Sequence, residues 1–147
     1  MKKILIINGP NLNLLGNREK KFYGDTSLEK IKSLCIDECR KNKMEVEFFQ
    51  SNHEGELIEK IHSVHDGFEG IIINPAAYTH TSIALLDSLR ATLKPKIEVH
   101  ISNIYAREDY RRKSITSEAV NGVLCGFGEN GYLLAIEAMK NLIYNKN

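Results

Sequence analysis

The sequence has almost no net charge, no long apolar run and few cysteines, and each shortage removes a class of function. Twenty basic residues face nineteen acidic ones over 147 positions, a formal charge of +1. That near-neutrality removes the electrostatic reason to expect nucleic acid or an anionic membrane as the main partner. No stretch approaches the roughly 20 apolar residues needed to span a bilayer. The opening MKKILIINGP has a short apolar run without a small-residue cleavage site behind it, so it reads as a strand and not as a signal peptide. The three cysteines, Cys35, Cys39 and Cys125, stand in apolar settings. Two thiols one helical turn apart cannot complete a zinc shell, so burial as small hydrophobes in a reducing cytoplasm is expected.

Several motifs are also missing. There is no H-E-x-x-H, no serine in a nucleophile elbow and no acid cluster to hold a metal. The stretch from Gly9 to Gly16 lacks the Gly-Lys-Ser/Thr ending of a phosphate loop. Gly126-Phe127-Gly128-Glu129-Asn130-Gly131 matches GxGxxG and precedes a helical pattern, but no strand with an acid comes after it, so a tight turn with close backbone packing is expected. A phospho-receiver domain would need carboxylates after strands 1 and 3, where this chain has Asn and Pro. No cofactor and no metal are therefore expected.

What is present is a regular alternation. Strands are predicted near 3–8, 44–50, 69–74, 97–102 and 120–126. A first helix is predicted to open on a capping box at Thr26-Ser27-Leu28-Glu29, with Leu28, Ile31, Leu34 and Cys35 inward. A second repeats Leu57, Ile58, Ile61 and Val64; a third begins near Thr81-Ser82 with Ile83, Leu86 and Leu89 inward; the last runs from about Asn130 to Ile143. Continuous Ile and Val strands alternating with amphipathic helices call for an α/β fold. The expectation is a single catalytic domain over 1–147, a flavodoxin-like three-layer sandwich around a five-stranded parallel sheet in the order 2-1-3-4-5. Ligands in such sheets sit beyond the carboxyl ends of the strands, at the switch point between strands 1 and 3.

Chemistry-bearing residues collect at that edge. Strand 1 leads into Asn8-Gly9-Pro10-Asn11, strand 3 into Asn74 and then Tyr78-Thr79-His80-Thr81-Ser82, and strand 4 ends in Glu98-Val99-His100-Ile101-Ser102. Glu98, His100 and Ser102 alternate and so share one face. A carboxylate there can fix the imidazole tautomer and keep it basic enough to carry a proton; a satisfied core histidine is the competing reading. His80 sits where exposed N–H groups favour anions and polar ligands. His53, His62 and His65 read as solvated or interface residues. The run Arg107-Glu108-Asp109-Tyr110-Arg111-Arg112-Lys113 reads as solvated surface, with room for one arginine to reach a substrate oxygen.

The segment from about residue 9 to 25 is longer than most structureless connections and reads as a catalytic lid carrying Arg18 and Tyr23. A guanidinium beside a phenol favours the phenolate. A tyrosine base, an arginine to polarise it, a histidine acid and amides for an enolate suit proton abstraction beside a carbonyl with loss of a leaving group. A lysine-imine mechanism is the rival chemistry. A module holding a flavin or nucleotide without catalysis, and a pure assembly protein, are rival functions.

The stretches Ile7-Asn8-Gly9-Pro10-Asn11-Leu12, Leu15-Gly16-Asn17-Arg18-Glu19 and Phe22-Tyr23-Gly24 closely resemble the signature of type II 3-dehydroquinate dehydratase, the cofactor-free dehydroquinase. Asn74-Pro75-Ala76-Ala77-Tyr78-Thr79-His80-Thr81-Ser82, Glu98 to Asn103, Arg107-Glu108, Arg111 and Gly128-Glu129-Asn130-Gly131-Tyr132 continue in the family's order and spacing. The resemblance implies that Tyr23 removes a proton alpha to the ketone of 3-dehydroquinate, that Arg18 lowers its pKa, and that Asn11 helps hold the enolate oxygen. It further implies that His100 protonates the departing hydroxyl, with Glu98 orienting it, in an anti elimination giving 3-dehydroshikimate. Asn74, His80, Ile101, Ser102 and Arg111 would contact the ring and carboxylate. Asp87 would reach the site of a neighbouring subunit in a homo-oligomer, a dodecamer built from trimers. Two departures stand out: Lys20 where many relatives carry proline, which should loosen the lid, and Ala76 where glycine is usual.

Overall fold

The computed structural model describes residues 1–17 and 26–145. Five strands, β1 (Lys2–Asn8), β2 (Met44–Gln50), β3 (Gly70–Asn74), β4 (Lys96–His100) and β5 (Gly122–Cys125), form one sheet in the order β2-β1-β3-β4-β5. All pairings are parallel, and the register sets Asn8 beside both Gln50 and Asn74, and His100 beside Cys125. Four α-helices cover it: α1 (Leu28–Lys41), α2 (Glu54–His62), α3 (Ile83–Ala91) and α4 (Asn130–Tyr144). The sequence-based order and fold class hold. No helix among the described residues is long and apolar enough to cross a membrane.

The strands are apolar on both faces because both faces are covered. Ile4, Ile6, Ile72, Ile97 and Val99 pack with Ile31, Cys35, Tyr132, Ile136 and Met139 of α1 and α4. On the other face Leu5, Ile7, Ile71 and Ile73 pack with Leu57 and Ile61 of α2 and Leu85 and Leu89 of α3. Cys35 and Cys39 are fully buried, and burial pushes both thiols up to about 12. They are small core residues, as the sequence suggested.

One helix cap and one inward residue differ from expectation. Ser27 is the cap of α1, its hydroxyl accepting from the Lys30 N–H at 3.2 Å. Thr26 instead donates to Glu129 at 2.5 Å, so the Thr26–Glu29 box does not form: a distant carboxylate captures the threonine and shifts the cap by one residue. In α3 the cap is Ser82, and Leu85, not Ile83, joins the core; Ile83 is 65 % exposed. Its position directly after the cap turns it away from the sheet.

The connection from β4 to β5 contains no α-helix. Three short 3-10 turns, Ile104–Ala106, Asp109–Arg111 and Thr116–Ala119, lie along it, and β5 is shorter than the predicted 120–126. Just before its first residue, Asn121 exchanges two bonds with the Lys96 backbone, at 2.7 and 2.8 Å, one of them through its side chain in place of a strand carbonyl. At the carboxyl ends the loops after β1 and β3 touch. Gly9 donates its N–H to the Asn74 carbonyl at 2.8 Å, and a Cβ on Gly9 would lie 2.4 Å from the Pro75 carbonyl oxygen. Only glycine permits that approach.

Candidate active site

The pocket lies over the carboxyl ends of β1, β3 and β4, with a cavity volume of about 170 Å³. Asn11, Asn74, His80, His100, Ile101, Ser102 and Arg111 all line it. Seven of the sequence-predicted site residues, far apart in the chain, are thus brought together.

His100 and Glu98 form its deepest pair. Glu98 is fully buried and His100 is 4 % exposed. His100 Nε2 lies 2.7 Å from Glu98 Oε2, which leaves Nδ1 as the nitrogen available to a ligand. A buried carboxylate survives only with compensating donors, and Glu98 has a full set. Thr116 donates to Oε1 at 2.5 Å, while Ser114 at 2.7 Å and Thr79 at 3.0 Å reach Oε2. Burial pushes the Glu98 pKa up, but the bonds from His100, Thr116 and Ser114 and the His100 charge outweigh it, and the net direction is below the usual carboxylate range. The carboxylate is therefore ionised and ready to support an imidazolium. The reading of His100 as a merely satisfied core histidine omits its second nitrogen and its place on the pocket wall.

The hydroxyl cage was not foreseen. Thr79 and Thr116 are fully buried, and Ser114 and Thr116 come from the stretch before β5 that carries no periodic pattern. The available signal was the run Ser114 to Ser117, rich in hydroxyls, just beyond a buried acid.

His80 stands at the pocket rim, its Nδ1 donating to the Lys113 carbonyl at 2.7 Å. Its pKa is lowered, first by burial and then by the His100 and Arg111 charges, against an upward pull from the Lys113 bond and Glu98. A neutral ring with Nδ1–H engaged offers Nε2 as an acceptor. Arg107 and Arg111 both line the pocket, and Glu108 pairs with Arg111 at 3.0 Å. Arg107 is 9 % exposed, so the run 107–113 is not simply solvated surface. Arg107 joins the site although the sequence reading put only one arginine there.

Asn11 adopts a left-handed backbone, φ 69°. Its N–H donates to Asn52 Oδ1 at 2.9 Å, and Gln50 Nε2 donates to the same oxygen at 3.2 Å. Ile101 lines the pocket while its side chain also packs in the core; Ser102 lines the pocket with a hydroxyl that makes no hydrogen bond among the described residues. Asp87 is exposed on α3 and does not line its own chain's pocket. His62 and His65 are exposed, and His53 precedes α2 without capping it.

The segment expected to act as a lid is partly anchored. Leu12 and Leu15 are 5 % and 4 % exposed around a 3-10 turn at Leu12–Leu14, so apolar side chains hold residues 9–17 to the core. Arg18, Lys20 and Tyr23 lie outside the described residues. Gly126 and Gly128 have φ of 93° and 61°, and Gly131 packs so that a Cβ would meet Val99 at 3.2 Å. The GxGxxG stretch is the tight turn expected of it.

A family model described as Dehydroquinase class II matches residues 2–140. The chain belongs to that family. A protein of Thermoanaerobacter pseudethanolicus named 3-dehydroquinate dehydratase is 53 % identical over 142 residues, covering 97 % of this chain and 96 % of that one. The solved type II dehydroquinase from Butyrivibrio crossotus DSM 2876 superposes with a TM-score of 0.91 at 47 % identity, covering 94 % of this chain and 97 % of the other. That from Propionibacterium acnes gives 0.93 at 40 % identity, with 96 % and 97 % covered.

Proposed function

We propose that this protein is a 3-dehydroquinate dehydratase, a hydro-lyase that removes water from 3-dehydroquinate by anti elimination through an enolate to give 3-dehydroshikimate. The observation that carries the reading is the buried Glu98–His100 pair, whose free imidazole nitrogen belongs to the same pocket as Asn11, His80 and Arg111.

The reaction separates into two proton movements. Tyr23, as phenolate beside Arg18, takes the proton alpha to the ketone, and the electron pair moves onto the carbonyl oxygen. Asn11 steadies that enolate oxygen. The enolate then collapses, re-forming the ketone and making the C=C bond as the C–O bond breaks, while His100, backed by the Glu98 carboxylate, gives its proton to the leaving hydroxyl and water departs. Arg111 and His80 hold the substrate's carboxylate and ring oxygens, with Ser102 and the Ile101 backbone. The reading needs no cofactor.

Asp87, exposed on α3, reaches the pocket of a neighbouring copy in a dodecamer built from trimers. The free thiols Cys35, Cys39 and Cys125 support a reducing, cytoplasmic setting. Adding 3-dehydroquinate to the purified protein should produce the ultraviolet absorbance of the conjugated product. No absorbance change at micromolar enzyme would end the assignment.

A further inference from the structure

A chain of buried hydrogen bonds runs from the edge of the sheet to the pocket, and its direction can be read without ambiguity. Asn8, at the end of β1 and fully buried, donates from Nδ2 to the Phe49 carbonyl at 3.2 Å. That bond fixes which way the Asn8 amide faces, because a carbonyl can only accept. Asn8 Oδ1 is then the acceptor for the hydroxyl of Tyr132 at 2.6 Å. Having given its single proton to Asn8, the Tyr132 oxygen can only accept from its other neighbour, Asn74 Nδ2, at 2.9 Å. The far end agrees independently: Asn74 Oδ1 accepts the Ala76 N–H at 3.1 Å. Burial pushes the Tyr132 pKa up, so the hydroxyl keeps its proton at every working pH.

The polarity therefore propagates from a backbone carbonyl through three side chains to a residue that lines the pocket. Asn74 Nδ2 has two hydrogens, one engaged by Tyr132 and the other without a partner among the described residues. Its oxygen is occupied by Ala76. With its oxygen turned to the Ala76 N–H, the side chain has the remaining Nδ2 hydrogen to offer as a donor.

We propose that Tyr132 is a positioning residue that locks the Asn74 carboxamide with its remaining N–H toward bound substrate, so that this corner of the site selects an acceptor oxygen. The inference rests on the dehydratase reading above and adds to it a residue of the last helix, which touches no substrate. An amide free to rotate would present oxygen and nitrogen alternately, and the oxygen would repel an acceptor-only group such as the substrate's carboxylate.

Steady-state kinetics with 3-dehydroquinate test it. Wild-type turnover comes first, since its absence would remove the dehydratase reading and not this one alone. With active wild type, Tyr132→Phe is expected to raise KM about tenfold, as loss of one oriented hydrogen bond does, while kcat changes by less than about threefold, the scale on which such bonds to non-reacting groups act. In an Asn74→Ala background the same Tyr132→Phe change should leave KM within about twofold, because nothing remains to orient. An equal KM effect in both backgrounds, or none in either, overturns the proposal. Should Tyr132→Phe alone not fold, Asn8→Leu with Tyr132→Phe removes the orphaned acceptor as well and carries the same two expectations. A crystal of the wild type with 3-dehydroshikimate should place Asn74 Nδ2 within about 3.2 Å of a ligand oxygen; a wider gap there defeats the idea whatever the variants do.

Discussion

The Glu98 carboxylate and the His100 imidazole lie 2.7 Å apart on one face of β4, and three hydroxyls close the carboxylate off from solvent. Every lone pair of Glu98 in use faces a donor. Glu98→Gln would place an NH₂ group among those donors, so one of them must lose its acceptor or turn away. The expected result is a fall in kcat of about 100-fold, within the range that acid–base groups contribute, with the far-ultraviolet circular dichroism unchanged. Thr116→Val, which removes the 2.5 Å bond to Oε1 and keeps the shape, should lower kcat less, and Thr116→Ser should restore it. A Glu98→Gln enzyme with more than half of normal turnover would separate the carboxylate from the reaction.

Tyr23 and Arg18 carry the base chemistry proposed above. With a pKa near 10, only about one Tyr23 in a thousand would be phenolate at pH 7, a handicap of roughly 4 kcal/mol. Arg18 must recover much of it. Tyr23→Phe and Arg18→Ala are each expected to lose most of kcat while the fold survives, measured by product absorbance and by thermal melting. Borohydride added together with substrate should leave activity intact, because no lysine imine forms; inactivation would turn the assignment to the rival chemistry.

Ala76 holds a φ of 54°, the left-handed region that disfavours a Cβ. Glycine adopts it freely, so Ala76 is a site of backbone strain. Ala76→Gly keeps the N–H that Asn74 accepts and should gain up to about 1 kcal/mol, seen as a melting temperature about 2–4 °C higher. A lower melting temperature would mean that the Ala76 methyl's packing against the core outweighs the strain.

Among the groups that make the fold sensitive to acid, His80 and Glu98 belong to the site, and both act with the same sign. His80 has a folded pKa below its ordinary 6.5, so the unfolded chain takes up its proton first as pH falls. The stability His80 contributes is complete above about 6.5 and is lost as pH drops toward the folded value. Glu98, lowered from 4.5, contributes in full above about 4.5 and loses its share as pH falls through its folded value. Melting temperature should therefore decline from pH 7.5 to 5.5, and more shallowly in His80→Asn, whose amide can still donate to the Lys113 carbonyl. Parallel declines in the two proteins would remove His80 from the account.

The sheet was legible because burial on both faces writes long Ile and Val runs, and β2 falls at its predicted bounds, Met44–Gln50. The rim was legible for the same reason: once strand order is known, the loops leaving Asn8, Asn74 and His100 must meet. The hydroxyl cage was not, since Ser114 and Thr116 lie in and beside short 3-10 turns, where no repeat marks a face. Thr26 pairs with Glu129 from 103 positions away, and local propensity carries no information about such a partner. Tyr132 carries no role that the sequence alone assigns; its hydroxyl acquires meaning only when Asn8 and Asn74 are placed on either side of it.

That buried tyrosine has a consequence for how the chain is made. Its oxygen joins the carboxyl end of the first strand to a helix that begins at residue 130, so the pocket floor cannot be completed while the last helix is still inside the ribosome. The first strand's asparagine waits for a partner 124 positions further along the chain, so this corner of the fold closes only once that helix has emerged.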